Sequence, residues 1–235
     1  MSSAYWDCPL DHNLSLVRLA TSNGFRVAYP DRPGHKLNEA SWPGGLAAAD
    51  EALLHAATIR ECFPDDPLFI IGQSAGSMIT VRTAALGTIP NLFGIDYSGI
   101  GLRIDHSYEH DGPMVERFWG PMRLYPDAVF TPAGRVVTSP IVEQDGTNAL
   151  TWWEVFPTVA PQVAVPVRIT MADTEVWWGD IPETLAALSA GFTGSPRVET
   201  NVEYGAAHNL SVGWAARAYH LGVLSFFERC LRAVV

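Results

Sequence analysis

One stretch, Leu68-Phe69-Ile70-Ile71-Gly72-Gln73-Ser74-Ala75-Gly76-Ser77-Met78, constrains the fold more than any other. Pro64-Asp65-Asp66-Pro67 makes a turn, and the apolar or Gly residues from Leu68 to Gly72 read as a short buried strand. Beyond Ser74, the residues Ala75, Met78, Ile79, Val81, Ala84 and Ala85 recur at the spacing of a helix packed on one face. A serine held between strand and helix, with Gly72 and Gly76 two residues to either side, fits the G-x-S-x-G nucleophile elbow. The turn is so tight that a side chain at either glycine is expected to meet the neighbouring strand or helix. The hydroxyl then projects from the strand end beside a helix N-terminus, whose amides favour developing negative charge.

The chain around this motif alternates between two periods. Asp11–Ser22 reads as a helix closed by Asn23-Gly24, Phe25–Tyr29 as a short strand, and Gly44–Phe63 as an amphipathic helix. That helix is expected to turn Leu46, Leu53, Leu54, Ala57 and Ile59 inward. Leu92–Ile100 follows as a buried strand, then the regular pattern stops until a strand at Val165–Met171. A helix at Pro182–Ser189, a strand at Val198–Glu203 and a helix at Trp214–Val234 complete the chain. Such alternation implies an α/β fold, a mostly parallel sheet with helices on both faces. The interruption is too long for a plain connection. We therefore divide the chain into a core, residues 1–101 and 163–235, and an inserted lid or cap, residues 102–162, with a hairpin around Val129–Val137.

A serine needs a base, and the base needs an orienting carboxylate. Asp173 directly follows the strand Val165–Met171, and His208 follows the last strand in Gly205-Ala206-Ala207-His208. Ser74, Asp173 and His208 thus form the candidate catalytic set, with Glu175 and Asp180 as alternative acids. Asp96 lies too early in its strand to reach the imidazole. Ser77 and Ser98 read as packing or capping hydroxyls, and His12, His35, His55 and His220 as surface or helix residues. Gln73 and the aromatic residues Trp119, Trp152, Trp153, Trp177 and Trp178 are the candidates for a substrate pocket, with Phe156 among the lid aromatics. His106 and His110 stand four apart, but no third ligand is spaced with them and Gly112-Pro113 would end a helix there. No metal is expected.

These marks, together with Tyr29-Pro30-Asp31-Arg32-Pro33-Gly34-His35 and Thr170-Met171-Ala172-Asp173, resemble the α/β-hydrolase superfamily, in its esterase and lactonase-like branch with a lid. The resemblance implies Ser74 as nucleophile, His208 as base, Asp173 as orienter and the backbone N–H of Ala75 as one oxyanion donor. A serine in the elbow disfavours the branches whose nucleophile is a carboxylate. In the family, two antiparallel strands and a parallel strand precede the first helix, and the third strand ends in a His-Gly loop carrying a second oxyanion donor. No His-Gly dipeptide precedes Asp11 here, so the sheet is expected to be N-terminally shortened: either it closes up, or another segment or subunit fills the gap, or the sequence starts late relative to the natural protein.

The implied activity is cofactor-free hydrolysis of a carboxylic ester, lactone or thioester of a small apolar substrate. The alternatives are a non-hydrolytic enzyme of the same fold, performing cyclisation or carbon–carbon cleavage, and a catalytically impaired binding module. A net charge of −10 argues against nucleic acid as a partner. No apolar run reaches membrane length and no signal peptide is read, so a cytoplasmic protein is expected, with a homodimer as one assembly it could form. Three cysteines, Cys8, Cys62 and Cys230, give neither a disulfide framework nor metal spacing.

Overall fold

The computed structural model describes residues 3–8, 10–35, 38–104, 119–131, 143–175 and 177–232. Its sheet has four parallel strands, β1 (Leu68–Gln73), β2 (Leu92–Ser98), β3 (Val167–Thr174) and β4 (Val198–Ala207), arranged in chain order. The helices are α1 (Ser3–Trp6), α2 (Leu16–Ser22), α3 (Ala48–Cys62), α4 (Ala75–Ala85), α5 (Glu143–Val159), α6 (Ile181–Gly191) and α7 (Ala216–Arg232).

Strand alternation sorts the side chains into two cores. Leu68, Ile70, Ile95, Tyr97, Val167, Ile169 and Met171 face one way, against Met78 and Val81 of α4, Trp152 and Phe156 of α5, and Leu185 and Leu188 of α6. Phe69, Ile71 and Ala172 face the other way, against Ala20 of α2 and Tyr219, Val223, Phe226 and Phe227 of α7. The rings of Phe69 and Phe227 stack there at 4.2 Å. Helices on both faces thus seal a sheet whose carboxyl ends all point to one rim.

Two local expectations fail. Phe25–Tyr29 forms no strand. Its aromatic side chain is held by packing instead, with Phe25 6.5 Å from Phe69. In a parallel ladder alternate residues bond to each side. Leu68 and Ser74 donate toward β2, which leaves the backbone groups of Phe69, Ile71 and Gln73 facing the outer edge of β1, where no described strand lies.

Helix α3 presents a different face from the one expected. Leu53, Leu54 and Ala57 are exposed, while Ala48, Glu51, Ala52 and Ala56 are buried. Small alanines let α3 lie close on α4, and Glu51 is drawn inward by Arg32. Arg32 also donates to Asp145 of α5 at 2.7 Å, so one guanidinium joins the loop after residue 30 to two helices.

Within the interrupted region, α5 is a regular 17-residue helix despite Pro157. Aromatic residues on both its inner face (Trp152) and its outer face (Trp153) blur the period in the sequence. Val129 and Phe130 close a 3₁₀ turn, and the rest of the expected hairpin lies outside the described residues. Among the described residues no helix is long and apolar enough to cross a membrane.

Candidate active site

Ser74 sits between β1 and α4 with φ 54° and ψ −124°. It is the one non-glycine residue with positive φ among those described, a conformation that costs on the order of 1–3 kcal/mol unless its surroundings impose it. They do. The Ser74 amide donates to the Ser98 carbonyl at 2.8 Å, and Ser77 Oγ donates to that same carbonyl at 2.8 Å. Ser98 Oγ in turn donates to the Gly72 carbonyl at 2.9 Å. A Cβ on Gly72 would lie 2.6 Å from the Ser77 Cα, so only glycine fits. Gly76 has open space where a Cβ would go, and the steric role expected of it is not needed.

The imidazole of His208 lies one residue beyond β4. Its Nε2 stands 3.1 Å from Ser74 Oγ, and its Nδ1 stands 2.9 Å from Glu175 Oε1. The Glu175 side chain is fully buried and that of His208 is 12% exposed, so little water competes for either contact. The hydroxyl, imidazole and carboxylate therefore form a continuous row with the imidazole in the middle.

The carboxylate that meets His208 Nδ1 is Glu175, the alternative, and not Asp173. Asp173 is exposed and accepts hydrogen bonds from the backbone amides of Gly205, at 3.0 Å, and Ala206, at 3.1 Å. Glu175 occupies the position opposite Nδ1 because it lies one residue past the last rung of the β3–β4 ladder, as His208 does on its own strand. Asp180 caps α6 through the Glu183 amide at 2.9 Å, well occupied as a helix cap.

A family model described as the alpha/beta hydrolase fold matches residues 1–93. Solved structures match over much more of the chain. A thermostable carboxyl esterase from Bacillus coagulans is 21% identical, with a TM-score of 0.66 over 92% of this chain and 84% of its own. A monoacylglycerol lipase from Paleococcus ferrophilus is 17% identical, with a TM-score of 0.61 over 92% of this chain and 88% of that one. A bromoperoxidase from Bacillus anthracis is 16% identical, with a TM-score of 0.64 over 97% of this chain and 88% of that one. No curated protein sequence matches the chain. The chain has the alpha/beta hydrolase fold. Esterase, lipase and bromoperoxidase share this framework, so the reaction has to be argued from the site.

The remaining expected site residues divide by location within this hydrolase fold. Ala75 opens α4, so its N–H is among the first-turn amides that have no partner inside the helix. Gln73 is 1% exposed and its Nε2 donates to the His208 carbonyl at 2.7 Å, fastening the His208 loop to the elbow. Trp152 lies in the main core at 1% exposure, its indole N–H donating to Tyr97 Oη at 3.1 Å. Phe156 shares that core. Trp153 is 46% exposed beneath the Arg103 guanidinium. Trp178 is buried against Gly101, just past the carboxyl end of β2, and Trp177 packs at the edge of the main core.

Trp119 packs edge-on against Tyr125 and Phe130, in a cluster that includes Ala207 and Val212 on either side of His208. Sequence reasoning missed Tyr125, whose hydroxyl donates to the Trp119 carbonyl at 2.6 Å and accepts from the Asn209 amide at 3.1 Å. No periodicity or motif marks it.

Two buried polar clusters lie away from the Ser74, His208 and Glu175 row. Asp96 is fully buried, pairs with Arg168 at 2.8 Å and accepts from Tyr219 Oη at 2.6 Å. Burial pushes its carboxyl pKa up against the pull of the Arg168 guanidinium. On the other side of the sheet, burial opposes ionisation of Asp145, but His35 and Arg32 outweigh it and bring the pKa down to about 2. His106 and His110 lie outside the described residues, and no group of three or more His, Cys, Asp or Glu poised to hold a metal occurs among the described ones.

Proposed function

We propose that the chain is a serine hydrolase that cleaves a carboxylic ester, lactone or thioester of a small apolar substrate through an acyl-enzyme on Ser74. The observation that carries this reading is the row Ser74 Oγ, His208 and Glu175, with contacts of 3.1 and 2.9 Å. His208 Nε2 takes the Ser74 proton as Oγ attacks the carbonyl carbon. Glu175 holds the Nδ1 proton and stabilises the imidazolium that forms. The oxyanion develops beside the first turn of α4, where the Ala75 N–H is available to it. His208 then protonates the leaving group, and later activates water to release the acyl group.

The preference for an apolar group is supported by Trp119, Tyr125 and Phe130, which flank the His208 loop. A serine-directed fluorophosphonate should label Ser74 stoichiometrically in folded protein and leave Ser74→Ala untouched. Absence of labelling would remove the mechanism.

One observation favours a second reading. The outer edge of β1, along which a strand bearing a second oxyanion donor would run, has no partner among the described residues. Loss of one such donor costs about 10²–10³ in turnover. Ligand binding that survives Ser74→Ala, with no ester cleavage above background in the unaltered chain, would identify a binding module instead.

A further inference from the structure

The β3–β4 ladder changes register next to the reacting row. Val167 pairs with Val198, and every rung as far as Ala172 with Glu203 keeps the same offset of thirty-one positions. The next rung joins Thr174 to Ala207, an offset of thirty-three. One residue of β3, Asp173, therefore spans three residues of β4, Tyr204 to Ala206, in a β-bulge. Gly205 takes φ +67° at the apex.

The two added residues decide what faces the base. At the earlier offset Glu175 would come level with Ala206, and His208 would lie two residues further along, about 6–7 Å away. At the later offset Glu175 and His208 are level, and the 2.9 Å contact forms. A bulge takes amides out of the ladder, and these two find one acceptor: Asp173 Oδ2 receives Gly205 N–H and Oδ1 receives Ala206 N–H.

We infer that Asp173 is a positioning residue: its carboxylate fixes the bulge that brings His208 level with Glu175. The inference rests on the hydrolytic reading for its kinetic consequences but not for its geometry. Asp173 touches neither the imidazole nor the serine among its described contacts, so it acts through the Glu175–His208 pair or not at all. Asn at this position keeps one carbonyl acceptor for two amides, and Ala keeps none. Gly205→Ala strains the same bulge from the other strand, since the added methyl meets no neighbour and disturbs only the left-handed backbone.

The test is a double-mutant cycle on p-nitrophenyl acetate hydrolysis and on the rate of fluorophosphonate labelling. Asp173→Ala should lower kcat on the order of 10–100-fold with KM nearly unchanged, Asp173→Asn by less, and Gly205→Ala in the same direction. In a Glu175→Gln background Asp173→Ala should cost less than about twofold further, because the pair it serves is already broken. An equal loss in both backgrounds overturns the proposal.

The second readout needs no catalysis. The proton on His208 Nδ1, hydrogen-bonded to Glu175, should give a strongly downfield NMR resonance that disappears in Glu175→Gln and shifts or broadens in Asp173→Ala. An unchanged resonance in Asp173→Ala overturns the proposal as well. If the resonance responds as expected while Ser74 resists the probe, the hydrolytic reading fails and the positioning role stands. Should Asp173→Ala not fold, Asp173→Asn and Gly205→Ala carry the same two measurements with the same deciding outcomes.

Discussion

Replacing Glu175 by Gln tests the reacting row at its least predicted member. The carboxylate stands 2.9 Å from His208 Nδ1, and the pair is shielded, with side chains 0% and 12% exposed. A unit negative and a unit positive charge at that separation, in an effective dielectric of about 20, attract by roughly 6 kcal/mol. In the proposed mechanism His208 carries the Ser74 proton in the transition state, and the attraction acts there. Removing it should slow acylation on the order of 10⁴-fold. The amide adds a second fault: with its NH₂ toward Nδ1 it selects the tautomer that already carries a proton on Nε2, which cannot accept one from Ser74. The assay is the single-turnover rate of fluorophosphonate labelling, checked against p-nitrophenyl ester hydrolysis, with circular dichroism to verify the fold. Asp180→Asn is the control, since Asn caps a helix about as well as Asp and the rate should not change. A Glu175→Gln rate within tenfold of the unaltered chain, or an equal loss in Asp180→Asn, would refute the assignment.

Two further perturbations follow from the packing. Asp145, held at about 2 against an ordinary value of 3.8, contributes stability that is fully present above about pH 4 and is lost as the pH falls toward 2. Asp145→Asn should therefore lower the unfolding free energy by about 2 kcal/mol at pH 6, and the gap should roughly halve by pH 3 in urea titrations. A gap independent of pH would contradict this. At the elbow, Gly72→Ala drives a methyl to 2.6 Å from the Ser77 Cα and should destabilise by about 3 kcal/mol or more, with loss of labelling. Gly76→Ala meets open space inside a helix and should be neutral or stabilising by up to about 1 kcal/mol, with labelling retained, as thermal melts and the probe will show.

The parts of this protein that were legible in the sequence are those in which one short segment carries its own physics. The elbow is such a segment, because a strand, a sharp turn and a helix must all be encoded within eleven residues, Leu68 to Met78. Strands β1, β2 and β3 were legible for the same reason, as largely apolar runs near breakers, although Phe25–Tyr29 carries the same signal and forms no strand. His208 could be singled out because it follows the final strand in a run of small residues.

Tertiary structure decided whatever depends on which segment lies opposite. Asp173 and Glu175 are two residues apart, and the sequence pointed first to Asp173, with Glu175 as an alternative acid. The register jump on β4, which no local pattern encodes, turns one into a clamp on backbone amides and brings the other to the imidazole. Likewise Arg32 reaches Glu51 and Asp145 from a distant loop and pairs with both where they are buried, and Trp152 is drawn into the core, where Tyr97 accepts its indole N–H. Periodicity reports how a segment presents its own faces. It carries no information on pairing across the sheet or between remote charges, and in this chain those pairings set which carboxylate meets His208.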